Sequence, residues 1–259
     1  MTLSAVEPEG APAHAPGCLC CPSVAAVGPA ATRRRLLGVP IGVGALAALG
    51  AGMAGVVPRA EAATAAPPSP VSPDAAVAAL MAGNRRYAAS RLGVCREDLR
   101  AARHETEHHQ APFAAVLSCA DSRVPVELVF DQGVGRIFVV RVAGNIAAPD
   151  MIASLEYGVA VLGTQAIVVL GHGNCGAVKA TMARTAAPGQ ISALYAFIRP
   201  AVDRAGTDVD KAIRINATMQ AGLLAQASPV LAGAIAERRL RVVVAYYDVG
   251  SGKVSLLDG

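Results

Sequence analysis

Three short apolar runs, PFAAVLSC (112–119), RIFVVRV (136–142) and AIVVLGH (166–172), punctuate the middle of this chain. Each is too short for a helix and is bounded by Pro, Gly or polar residues, so each predicts a buried strand. Between them lie PVELVFDQG and DMIASLEYGVAVLG, both helical in character. Strands alternating with helices predict parallel neighbours joined by right-handed crossovers. The fold class expected is therefore α/β, a central, mostly parallel β-sheet flanked by helices. The last third adds helical stretches at 190–204, 207–226 and 228–238, then LRVVVAYYDV and GKVSLLD, which read as a hairpin turning at Gly250 and Gly252. Upstream, Ser72-Pro73-Asp74 is a helix start, with a capping serine and Pro in the first turn. A second helical stretch, REDLRAARHETEHH, is strongly charged.

The N-terminal part has a different character. Arg33-Arg34-Arg35 stands before a Gly- and Ala-rich apolar run from Leu36 to Val57, and Ala60-Glu61-Ala62 sets small residues at −3 and −1 before Ala63. Paired arginines ahead of such a run resemble a twin-arginine export signal. The expected organisation is a leader and signal over 1–62 that is removed, a linker over 63–72, and one folded domain over 73–259. That places the protein outside the cytoplasm; an uncleaved membrane anchor is the alternative, because the apolar run is long enough to span a bilayer. The net charge of +4 comes without a basic stripe interleaved with aromatics, which excludes nucleic acid as a partner class.

Of six cysteines, Cys18, Cys20 and Cys21 fall in the leader, leaving Cys95, Cys119 and Cys175. An odd count is poor material for a disulfide framework, and metal ligation is the other use of thiols. Cys119, Asp121 and Arg123 occupy alternate positions of CADSR at the end of the first strand, and His172 and Cys175 close the third in GHGNCGAV. Open parallel sheets bind ligands at the carboxyl ends of their strands. One His and two Cys match the three-ligand pattern of a catalytic zinc site, which leaves a fourth position open. Asp121 could accept a hydrogen bond from water at that position or occupy it, and Arg123 could hold the carboxylate in a bidentate pair. Taken singly, these residues also read as a plain ion pair and two buried apolar thiols. Their joint placement at strand ends favours the metal.

CADSR followed by GHGNCGAV resembles the β-class carbonic anhydrases. FDQGVGRIFVVRVAGN, SLEYGVAVLG and VVVAYYDVGSGKV extend the likeness over residues 75–257. The resemblance implies one Zn2+ per subunit held by Cys119, His172 and Cys175, with Asp121 and Arg123 as a catalytic dyad. It implies Gln110, Phe138 and Tyr157 as substrate-binding residues, partly supplied by a neighbouring subunit, and hence a homodimer or tetramer. The implied activity is reversible hydration of CO2 to bicarbonate and a proton. Hydrolysis of carbonyl sulfide or carbon disulfide on the same scaffold, or a non-catalytic zinc-binding or thiol-redox role, are the alternatives. Outside the motifs, Cys95 reads as a free or buried structural thiol. His104 and His108 share a helix face, His109 beside Gln110 is a candidate proton shuttle or a solvated residue, Arg141 and Glu156 are candidates for a buried pair, and Asn145 after Gly144 marks a turn.

Overall fold

A computed structural model describes residues 72–184 and 186–258; the leader, the signal and all but the last residue of the linker lie outside the described residues. Helix α1 (Pro73–Ala88) begins as its sequence dictates, with the Ser72 hydroxyl accepting the Ala75 N–H at 3.2 Å and Pro73 in the first turn. After one 3-10 turn at Val94–Arg96, α2 (Leu99–Thr106) starts on an Asp98 cap. The helix stops at Thr106, so His104 and His108 do not share a helical face, contrary to the expectation from their spacing. ETEHHQ offers no apolar side chain that a longer helix could bury, and the chain must turn through Pro112 into the sheet.

The strands are β1 (Ala114–Ser118), β2 (Ile137–Arg141), β3 (Ala166–His172), β4 (Arg241–Tyr247) and β5 (Val254–Leu257). A single turn of helix, α3 (Val126–Val129), lies between β1 and β2, and α4 (Pro149–Ala160) between β2 and β3. Then come α5 (Gly176–Met182), α6 (Ser192–Ala205), α7 (Val209–Ala227) and α8 (Pro229–Ala236) before the closing β4–β5 hairpin. The sheet order is β2-β1-β3-β4-β5, parallel except for the antiparallel β5. The chain leaves β1 to one side to form β2 and returns on the other side as β3. Between β1 and β3 the winding reverses, which opens a crevice at their carboxyl ends.

Alternation along the strands builds two apolar layers. Val116, Val168 and Leu170 pack with Leu80 of α1 and Phe130, while Leu117, Ile167 and Val169 pack with Leu155, Leu224 and Leu231 of the opposite helices. β1 and β3 are buried on every residue, as central parallel strands must be. A third cluster sits at the carboxyl end and joins Cys119 and Cys175 to Ile146, Val178, Ile198 and Ile213. Among the described residues, no single helix is long and apolar enough to cross a membrane.

Candidate metal centre

Cys119 is the first residue beyond β1, His172 is the last of β3, and Cys175 precedes the first turn of α5. All three are buried, His172 completely. Strand pairing sets Ser118 level with Leu170, so the two chain exits lie side by side. One ligand atom from each of Cys119, His172 and Cys175 falls within 4.8 Å of the others, and the two sulfurs are 4.0 Å apart. The turn between His172 and Cys175 is tight for a readable reason. A Cβ on Gly173 would lie 2.9 Å from the Tyr246 hydroxyl, and one on Gly171 only 3.2 Å from Ile213. Gly176 meets nothing, and Asn174 takes the left-handed conformation at φ 59°.

The His172 Nδ1 lies 3.0 Å from the Gly173 carbonyl, which fixes the proton there and leaves the lone pair on Nε2. That Nε2 is buried and has no hydrogen-bond partner among the described residues. A buried imidazole lone pair facing two sulfurs is a costly arrangement unless something fills it. The donor set suits a divalent ion that accepts thiolate and imidazole, so the residues present fit a bound metal.

Around this cluster the protein supplies charge and hydrogen bonds. The Cys119 Sγ accepts the Gly144 N–H at 3.3 Å. Hydrogen bonding from the Cys175 thiol, against the opposing effect of burial, draws the Cys119 pKa down to about 4. Cys175 moves up for the complementary reasons, its bond to Cys119 and its burial. The Cys119 sulfur is thus the more readily ionised of the two, and a bound metal ion would favour the thiolate form of both.

Asp121 and Arg123 form the expected bidentate pair, Nε to Oδ1 at 2.9 Å and Nη2 to Oδ2 at 2.8 Å, and the Arg123 backbone N–H adds a third bond to Oδ1. The Arg123 hydrogen bonds hold the Asp121 carboxyl well below the usual carboxylate range. Its Oδ2 stands 3.9 Å from the His172 Nε2, beside the cluster. Arg123 also donates to the Asn174 carbonyl at 3.2 Å, which ties the two halves of the site together. Beside it lies an open cleft of about 780 Å³, lined in part by Lys179, Asp210, Tyr246 and Asp248.

Other expected residues lie elsewhere. Gln110 is exposed in the segment that enters β1 from its amino end, whereas Cys119 leaves the carboxyl end. Phe138, on the amino half of β2, stacks at 6.3 Å against the exposed Tyr157 of α4. Within one chain these three are not gathered at the metal cluster. His109 lines a small cavity of about 80 Å³ with Glu97, Thr106 and Arg136, at the amino end of β2. Arg141 and Glu156 do not pair. Arg141 donates to the carbonyls of Cys119 and Asp121 at 3.0 and 2.7 Å, and Glu156 accepts the Ser228 hydroxyl. Cys95 is half-buried and is not a free thiol, contrary to expectation. Sequence reasoning missed the roles of Arg141 and Gly144. A Gly-Asn pair signals a turn, but the N–H it aims at a sulfur 25 residues away leaves no pattern along the chain.

Comparison with known proteins agrees with this geometry. A family model described as carbonic anhydrase matches residues 114–254. Carbonic anhydrase 2 of Mycobacterium tuberculosis is 36% identical over 157 residues, 58% of this chain and 76% of that protein. The Coccomyxa β-carbonic anhydrase solved in complex with acetazolamide is 30% identical, with a TM-score of 0.56 over 69% of this chain and 84% of that one. A tetrameric β-carbonic anhydrase of Sordaria macrospora is 27% identical, with a TM-score of 0.53 over 61% of this chain and 89% of that one. With the sheet order, the paired strand ends and the matched span in agreement, the chain belongs to the carbonic anhydrase family, in its β class.

Proposed function

We propose that this protein catalyses the reversible hydration of CO2 to bicarbonate and a proton, with zinc held by Cys119, His172 and Cys175. The observation that carries the reading is the meeting of two buried sulfurs and an unpartnered, buried Nε2 beside the Asp121 carboxylate. A tetrahedral ion with metal–sulfur bonds of about 2.3 Å separates two sulfurs by about 3.8 Å, close to the 4.0 Å found here. Zinc, when bound, supplies the Lewis acidity that makes water a nucleophile at neutral pH.

The protein's own groups do the rest. Asp121, kept ionised by Arg123, is an acceptor only; its Oδ2 orients the attacking water's O–H and so directs the oxygen lone pair at the carbon of CO2. Arg141 fixes the carbonyls that bracket this segment, so the carboxylate has little freedom to swing. Gln110, Phe138 and Tyr157 complete the pocket from a second subunit, with the rings as an apolar wall and the amide as a bicarbonate donor. Their position away from the metal cluster in one chain, and the tetrameric Sordaria relative, support a homodimer or higher assembly. The leader's arginines, apolar run and Ala60-Glu61-Ala62 support export with cleavage before Ala63, and the mass of the secreted protein tests that site.

Stopped-flow CO2 hydration by the purified protein, alongside its metal content, tests the main reading. Rapid hydration with one zinc per subunit is the expected result. A folded, zinc-loaded protein that leaves CO2 untouched would falsify it.

A further inference from the structure

The Gly144 N–H that reaches Cys119 is held in place from behind. Gly144 sits at φ +77°, in the left-handed region, and a Cβ there would lie 2.6 Å from the Ile198 methyl. Its carbonyl accepts the Asn216 Nδ2 at 2.9 Å. One turn further along α7, the Gln220 Oε1 accepts the Ala147 N–H at 2.8 Å. Gln220 Nε2 donates to the Asn216 Oδ1 and to the Phe197 carbonyl of α6, both at 3.2 Å. Asn216 is fully buried and Gln220 nearly so, on a helix face otherwise made of Ala212, Ile213, Ala217, Ala221 and Leu224. Two amides at i and i+4 in an apolar layer carry a desolvation cost that only satisfied hydrogen bonds offset. Every polar atom of that pair faces either the 144–147 loop, its neighbouring amide or α6.

We infer that Asn216 and Gln220 are positioning residues for the metal centre: through the 144–147 loop they aim the Gly144 N–H at the Cys119 sulfur. The bond draws electron density from the thiolate and fixes the direction of its lone pairs. Outer hydrogen bonds of this kind change metal affinity by about ten- to a hundredfold. Asn216 and Gln220 touch neither metal nor substrate, so their effect passes wholly through the loop. This inference rests on the metal-site reading above.

The test uses the full-length protein loaded with cobalt(II), whose sulfur-to-metal charge-transfer band reports on the thiolates directly. Asn216→Asp keeps the size of the side chain and removes its donor; Gln220→Met removes the loop acceptor and serves if the first variant does not fold. Leu224→Ala, on the same helix, is the control for general destabilisation. The expected result is a displaced band and about tenfold faster loss of cobalt to a chelator in either amide variant. Leu224→Ala should lower the melting temperature and leave the band in place. A folded amide variant with an unchanged band and release rate overturns the inference, as does a Leu224→Ala protein that moves the band equally. A wild-type protein that binds no cobalt overturns the metal-site reading itself.

Discussion

Arg123 carries more of the site than its exposure suggests. Its side chain is 43% exposed, so removing it leaves no cavity, yet two bonds to Asp121 and one to Asn174 depend on it. The third bond to Asp121, from the Arg123 backbone N–H, survives substitution by Ala or Lys. Arg123→Ala is expected to fold normally and to lose about ten- to a hundredfold in CO2 hydration, measured by stopped flow. Arg123→Lys should not restore the rate, because an ammonium cannot make the two-pronged contact. Glu97 gives a residue-scale prediction of opposite character. Burial raises its carboxyl above the ordinary 4.5, with Glu105 and Asp131 adding to the shift and Arg136 opposing it. The folded protein therefore binds this proton more tightly than the unfolded chain does. Its contribution to stability is complete below the ordinary value and is lost as pH rises through the raised one. Thermal melts across about pH 4 to 7 should show this decline in the wild type and a flatter profile in Glu97→Gln.

At the level of elements, α1 is docked by two neighbouring residues. A Cβ on Gly83 would stand 1.7 Å from the Phe130 carbonyl, which explains why a glycine interrupts an otherwise good helix. Asn84, buried, donates to the carbonyls of Val129 and Gly252 and accepts the Val254 N–H, joining α1 to α3 and to the terminal hairpin. Asn84→Ala strands three backbone groups and is expected to cost about 2–4 kcal/mol, read from chemical denaturation. Such ties explain what could be read in advance and what could not. Strands β1 to β3 were legible because each is a continuous apolar run between breakers, and the ligands because they fall at the ends of two of those runs. Asn84, Asn216 and Gln220 were not, since polar residues spaced along a helix look the same whether they face water or another backbone. The shared face assigned to His104 and His108 failed for a related reason: spacing alone does not say where a solvated helix ends. Charge marks Arg141 and Glu156 as buried-pair candidates, but it does not reveal that backbone carbonyls and a serine are nearer.

Across the whole molecule, the two ends of the sheet carry different parts of the proposed pocket. The metal cluster occupies the carboxyl ends of β1 and β3, while Gln110, Phe138 and Tyr157 lie toward their amino side. Tyr157 of α4 and Val161, which caps its carboxyl end, are 47% and 64% exposed, an apolar pair beside the edge strand β2. Val161→Glu is expected to shift the assembly toward monomer by light scattering and to lower hydration activity in parallel, while each chain keeps its metal. Activity that is retained in a monomeric variant would sink the shared pocket. One more consequence follows from where the ligands sit along the chain. Cys119 and Cys175 are 56 positions apart, and bringing such distant points together in an unstructured polypeptide costs roughly 3–4 kcal/mol of entropy. β1 and β3 pair directly although β2 lies between them in the chain. An ion held by both cysteines would therefore cross-link the two central strands, and opening the β1–β3 pairing would take the ligand set apart.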